Sequence, residues 1–208
     1  SGNAMVYGFA KLSQLAEVLG GAHVFEKAVL SGHSVVRGTA KIYGSATIKG
    51  GWVIGNNEVY GNATIEGDPT IYGEAKIYGS ANISDKAKVG DDAKVYGDSY
   101  IDGKATIVGN SEVYGNANVG GEATIKNSNI GGDAKIWGDV MINNAEVGGE
   151  AEISGDAIVS KNAKITGTAK ITGNSRIIGS VHLKHGVYDN IKIETIEDVE
   201  KYLKDTGQ

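Results

Sequence analysis

An aliphatic residue recurs at six-residue intervals from Val24 to Leu183, through Val36, Ile42, Ile48, Ile65, Ile71, Ile77, Ile83, Val89, Val95, Ile101 and Ile107 and on to Ile177. A small residue, usually Ala, stands two positions before it. Gly stands two positions after it, often followed by Asn, Asp, Ser or Glu, as in Tyr60-Gly61-Asn62. A fixed short period decides architecture before composition does. Residues two apart on a strand share a face, so the small residue and the aliphatic point inward together, and the residue between them (Lys41, Thr64, Lys76) points out. Gly with Asn or Asp then turns the chain, because these types tolerate left-handed backbone angles. Strands this short, turning every six residues with no helix between, cannot form an open sheet. Coiled into a solenoid, each strand stacks on its counterpart one coil later. A coiled coil needs a seven-residue beat, and a Gly-rich linker would not keep its aliphatics in register.

The unit Ile42-Tyr43-Gly44-Ser45-Ala46-Thr47, followed by Ile48, resembles the repeat of the bacterial hexapeptide-repeat superfamily, and the resemblance spans residues 22–183. It implies an all-β fold: a single-stranded left-handed parallel β-helix, a triangular prism with three strands per coil and about nine to ten coils. The beat shortens to five residues from Ile54 to Val59, from Ile125 to Ile130 and from Ile142 to Val147. Grouped in threes from Val24, all three shortenings fall at the corner after the third strand. Each carries Asn (Asn56, Asn127, Asn144) where Gly usually stands. This supports a threefold coil independently of the resemblance. At a strand spacing of roughly 4.8 Å the prism is on the order of 45 Å long.

One elongated domain accounts for the chain. Residues 1–4 are expected to be a tag remnant before a start at Met5, 5–21 an N-terminal cap, 22–184 the β-helix, and 185–208 a tail with a capping helix. Residues 9–19 fit two patterns. Ala10-Lys11-Leu12 and Ala16-Glu17-Val18 keep the hexad, while Phe9, Leu12, Leu15, Ala16 and Leu19 fit one face of a helix ended by Gly20-Gly21. The helix is preferred, since the hexad leaves Phe9, Leu15 and Leu19 outside. Near the other end Ile196, Val199 and Leu203 space as a helix, with Thr195 and Asp198 as a capping box. An open solenoid end exposes strand edges and apolar interior, so a cap is expected there.

The net charge of −5, with no basic stripe, predicts no nucleic-acid partner. No apolar run is long enough to span a membrane and no signal-peptide core is present, which predicts a cytoplasmic protein. The absence of Cys excludes disulfide and thiol chemistry.

Many hexapeptide-repeat proteins are acyltransferases. The resemblance implies a homotrimer, a site between neighbouring prisms, acetyl- or acyl-CoA as co-substrate, a catalytic His as general base and usually a long loop interrupting the hexads. This chain has no insertion in the beat and no His between residues 34 and 181. Of His23, His33, His182 and His185, only His33 sits at a corner reminiscent of a catalytic placement, and it is a weak candidate. The carbonic-anhydrase branch needs three His around Zn²⁺, and His182 with His185 offer two. No metal and no cofactor is therefore expected, with acetyl-CoA entering only under the transferase alternative.

Columns of residues one coil apart reveal more. The residue after each first-face aliphatic reads Phe25, Tyr43, Tyr60, Tyr78, Tyr96, Tyr114, then Gly131 and Gly148, and Tyr7 extends the line if the first hexads are real. Three readings fit it: an aromatic ladder supporting the prism, a ligand platform formed by Tyr43, Tyr60, Tyr78, Tyr96 and Tyr114, or a subunit interface. The neighbouring column Lys41, Glu58, Lys76, Lys94 and Glu112 keeps that face wet. The third face offers Val35, Val53, Thr70, Lys88, Thr106, Thr124, Met141 and Ile158, the better surface for a homotrimer. The second face, with Thr47, Thr64, Asn82, Asn118, Lys135 and Glu152, is solvated. Trp52 and Pro69 fall in an inward column otherwise held by Ala and Ser. The expectation is a non-catalytic β-helical scaffold or binding module presenting the Tyr-rich face to a glycan or other polar ligand; the alternative is an acyl-CoA-dependent transferase.

Overall fold

The computed structural model describes residues 2–207, which form a parallel β-solenoid closed by one helix. Among the described residues, strands of two to four residues make three eleven-stranded sheets. Each inner strand pairs with the strands three before and three after it in the chain. The first coil supplies the opening strand of each face: β1 (Met5–Val6) of the first, β2 (Lys11–Leu12) of the second and β3 (Glu17–Val18) of the third. Outward residues stack on outward and inward on inward, as when Glu58 pairs with Lys76 and Val59 with Ile77.

The alternation of side chains explains the core. Ala75, Ile77, Ala93, Val95, Ala105 and Ile107 are wholly buried, while Lys76 lies outside on the same strand as Ile77. Each buried Ile or Val contributes roughly 1.5–3 kcal/mol, and one arrives every half-dozen residues. Corners are turned by left-handed residues. At Gly44 φ is +71°, and a Cβ there would stand 2.8 Å from the Gly61 nitrogen of the next coil, so Gly is needed on two counts. Elsewhere Asp85, Asp91, Asn127 and Asn144 take the same region with φ of 56°, 57°, 47° and 49°.

Several expectations are corrected. Residues 9–19 are not helical. Ala10 and Ala16 take the small inward places, Leu12 and Val18 the aliphatic ones, and Gly8, Gln14 and Gly20 the left-handed corners at φ of 70°, 58° and 70°. The strand pairing then satisfies Lys11 N–H on Ala28 O (2.9 Å) and Glu17 N–H on Ser34 O (2.8 Å), carbonyls that a helix would leave unmet. The consequence is exposure of Phe9 (79%) and Leu15 (63%).

The register near Trp52 also differs. The shortened corner lies between Ile48 and Val53, where Gly50 and Gly51 both have positive φ (121° and 75°), and not between Ile54 and Val59. Val53 is therefore wholly buried and leaves the third outer column, while Trp52 (45% exposed) joins it opposite Val35 and Thr70. Trp52 and Pro69 do not share an inward column. Gly51 occupies that place beneath Pro69, whose Cδ would lie 2.8 Å from a Cβ at Gly51. The shortenings thus do not share one corner.

The coil also runs past Leu183. Tyr188 and Ile193 fill the next two inward places, 2% and 0% exposed, after five-residue steps. The helix Ile196–Thr206 follows with the expected capping box. Asp198 N–H donates to Thr195 Oγ1 (3.2 Å), and Thr195 N–H to Asp198 Oδ2 (2.9 Å). Its Val199, Tyr202 and Leu203 pack on the last coils, and the Tyr202 ring stacks on Tyr188 at 5.3 Å.

Candidate functional site

Each ladder residue directly follows an inward aliphatic and precedes a left-handed residue: Gly8, Glu26, Gly44, Gly61, Gly79, Gly97 or Gly115. Repeating one corner geometry coil after coil repeats the ring orientation. The rings of Tyr7, Phe25, Tyr43, Tyr60, Tyr78, Tyr96 and Tyr114 accordingly form one stack, with centroid separations of 5.1, 5.1, 4.9, 5.0, 4.8 and 5.5 Å. Neighbouring planes lie within 13° of each other. The stack is roughly 30 Å long, set by the strand spacing. All five tyrosines singled out in the sequence belong to it, and Tyr7 and Phe25 extend it.

The stack ends for a local reason. The Tyr114 ring lies across Gly131, in the space that a side chain there would fill. Tyr72 lies across Gly90 in the same way on another corner. Beyond Gly131 the ladder corner carries Gly148, Thr166 and Lys184.

Beside the rings runs a column of alternating charge. Lys41 Nζ and Lys76 Nζ lie 3.6 and 4.0 Å from the two oxygens of Glu58, and Lys94 Nζ donates to Glu112 Oε1 at 2.8 Å. The Tyr96 hydroxyl donates to Glu112 Oε2 at 3.1 Å. Burial against the neighbouring rings, then this hydrogen bond, pushes the Tyr96 phenol up to about 12. Burial, first, and nearby charge also raise Tyr43, Tyr60 and Tyr78. Glu112 is held low, chiefly by its bond from Lys94, and Lys94 is raised by the same bond. At neutral pH Tyr43, Tyr60, Tyr78 and Tyr96 therefore present neutral phenols beside paired charges.

Two concavities were not legible in the repeat. A polar recess of about 320 Å³ lies at the opposite edge of the first face, lined by Asn127, Asn129, Asn144, Glu146, Asn162 and Lys164. It sits at the corner that carries Asn127, Asn144 and Asn162, and Lys164 Nζ bridges Glu146 Oε1 at 2.7 Å within it. The signal was present in the Asn of that corner, but Asn alone does not announce a dent. A second cleft of about 390 Å³ separates the helix from the last coils, between His182, Lys184, His185 and Tyr188 on one side and Val199 and Leu203 on the other. His182 Nε2 lies 2.7 Å from Thr166 Oγ1; burial, then Lys184 and Lys164, push its pKa down.

His33 is exposed on the corner between the second and third faces, with no side-chain hydrogen bond among the described residues. His23 meets Tyr7 edge-on at 6.3 Å. His23 and His33 remain at one end of the prism and His182 and His185 at the other, where the latter two line the same cleft. Among the described residues no group of three or more His, Cys, Asp or Glu is placed to hold a metal, and no helix is long and apolar enough to cross a membrane. The sequence matches no protein-family model, and no curated protein matches it.

Proposed function

We propose that the protein is a non-catalytic β-helical binding module whose first-face corner, the seven-ring stack, receives an extended polar polymer, a linear glycan by preference. One observation carries this reading. The rings occupy one corner for seven coils and then stop, while the coils at Gly131 and Gly148 keep the same backbone pairing without them. The fold does not require rings at that corner, so their run calls for a use beyond holding the coil together. In the stack each inner ring covers its neighbour's face, and a sugar cannot lie flat on it. What remains accessible is a row of ring edges and neutral hydroxyls at about 5 Å intervals, flanked by Lys and Glu that supply directional hydrogen bonds. A glycan in extended form repeats on a comparable length and would lie along the row.

The same repeat supports reading the solenoid as a left-handed hexapeptide-repeat β-helix. Such prisms could pair side by side in a trimer through the third face, now with Trp52 in place of Val53 beside Val35, Thr70, Thr106, Thr124, Met141 and Ile158. Retention of the chain on immobilised linear oligosaccharides of glucose, galactose, N-acetylglucosamine and uronic acids tests the binding reading. At least one is expected to retain the wild type and to release Tyr78→Ala/Tyr96→Ala. No retention anywhere, together with acetyl-CoA binding that disappears in His33→Ala, would replace this reading with the transferase one.

A further inference from the structure

The two ends of the prism are finished differently. At the C-terminal end the helix lays Val199, Tyr202 and Leu203 over the last coils. At the N-terminal end nothing among the described residues covers the first coil. The interior residues Val6 and Leu12 are 44% and 39% exposed, whereas Val24 and Leu30, one coil on, are wholly buried. Strands β1, β2 and β3 each pair on one side only. The N–H groups of Met5, Lys11 and Glu17 donate to Ala22, Ala28 and Ser34 of the second coil. Peptide groups alternate in direction along a strand, so those of Val6, Leu12 and Val18 face the open end. Unpaired edges around an apolar centre are a template for another chain.

We infer that this end docks head to head on the N-terminal end of a second copy of the chain, about a twofold axis perpendicular to the prism. Such an axis reverses strand direction, so the three edges of one copy meet those of the other antiparallel. It must pass through the middle of one face, which leaves three placements. An axis through the second face sets Lys11 against Lys11, and one through the third sets Glu17 against Glu17. Only an axis through the first face pairs β1 with β1 and β2 with β3, which places Lys11 of each copy directly opposite Glu17 of the other. Both are exposed and outward on their strands, and both N–H groups already bond inward, which makes this a non-hydrogen-bonded antiparallel pair with close side chains.

Interior sizes agree with that placement. Ala10 falls opposite Val18 and Leu12 opposite Ala16, so a small residue meets a large one in both of these inward pairs. The corner opposite the axis sets Gln14 against Gln14, with the exposed Leu15 of each copy opposite Ser13 of the other. An isologous contact of this kind closes on itself, and the helix blocks the far end, so assembly stops at two prisms end to end rather than running on as a fibre. The contact area is small, which places the association at the weak end of specific interfaces.

Sedimentation equilibrium of the full chain over a concentration series reads the proposal. The wild type is expected to double in mass with rising concentration, and small-angle scattering to show near-doubling of the longest dimension. Lys11→Glu and Glu17→Lys should each weaken the doubling by about tenfold or more, and the swapped pair Lys11→Glu/Glu17→Lys should restore it. Unchanged thermal melting of these surface variants guards against a folding artefact. A wild type that never doubles overturns the inference, as does doubling that ignores both single reversals or that the swapped pair fails to restore. Side-by-side trimers leave the reading intact, because the expected step is then from three chains to six.

Discussion

Along one corner of the prism, seven coils carry stacked rings from Tyr7 to Tyr114, and the next four carry Gly131, Gly148, Thr166 and Lys184. The backbone scarcely distinguishes the two stretches. Lys94 pairs with Glu112 and Glu146 with Lys164 in the same parallel register, and Val95 and Ile165 are equally buried. The lesson is a division of labour: inward Ala, Ile and Val hold the coil, and the corner is free to be dressed for another purpose.

The largest expected effect falls on what the two stretches share. Ile77→Ala beneath the rings and Ile165→Ala beneath the bare corner should each lower stability by about 3 kcal/mol in denaturant unfolding. A much smaller loss at Ile77 would mean that the stack, and not the interior, holds the ringed coils. Tyr78→Ala/Tyr96→Ala removes three ring contacts and should lower stability by about 2–3 kcal/mol, at roughly 0.5–1.5 kcal/mol each. The variant should still fold cooperatively, as the bare coils do. Gly131→Tyr tests the boundary itself. The Tyr114 ring must lift off Gly131 and stack on the new one, and a stability within about 1 kcal/mol of wild type is expected. A loss above about 3 kcal/mol would show that the ladder cannot be lengthened.

Alkaline pH separates the two stretches more gently. The phenols of Tyr43, Tyr60, Tyr78 and Tyr96 have pKa values raised above the ordinary 10.0, Tyr96 to about 12, so the folded state holds their protons more tightly than the unfolded state. Their contribution is fully present below pH 10 and is lost as pH rises toward 12. Tyr78→Phe/Tyr96→Phe, which keeps the rings and removes two titrating groups, should flatten that decline in melting temperature. An unchanged slope would place the alkaline loss elsewhere. The smallest effect is that of Glu112→Gln. It should lower stability by less than about 1 kcal/mol, as expected for an exposed pair, and bring the Tyr96 phenol down toward 10.0 in a spectroscopic titration.

The sequence carried the solenoid and the entire tyrosine line, because each depends on a period that stacking enforces, and the helix cap, because its capping box and apolar spacing are local. The threefold coil rested on the resemblance once the shortenings proved not to share a corner. The sequence was ambiguous where two residues could serve one beat. Val53 and Ile54 are adjacent aliphatics, and only the paired left-handed Gly50 and Gly51 decide that Val53 points inward and Trp52 out. Residues 9–19 misled through Phe9 and Leu15, apolar residues left exposed on an uncovered first coil. The Tyr188 place was hidden because an aromatic replaces the aliphatic just where the steps shorten to five. That the rings would lie face to face, leaving edges and hydroxyls outward, follows from a corner conformation that composition does not disclose.

The most direct test of the central claim compares wild type, Tyr78→Ala/Tyr96→Ala and Tyr100→Ala on the immobilised oligosaccharide panel, at a temperature where all three are folded. Tyr100 is half-buried on the second face and outside the stack. The account predicts retention of wild type and of Tyr100→Ala on the same glycan and release of the double variant. Equal retention of all three, or of none, would contradict it and leave the rings as a support of the prism alone.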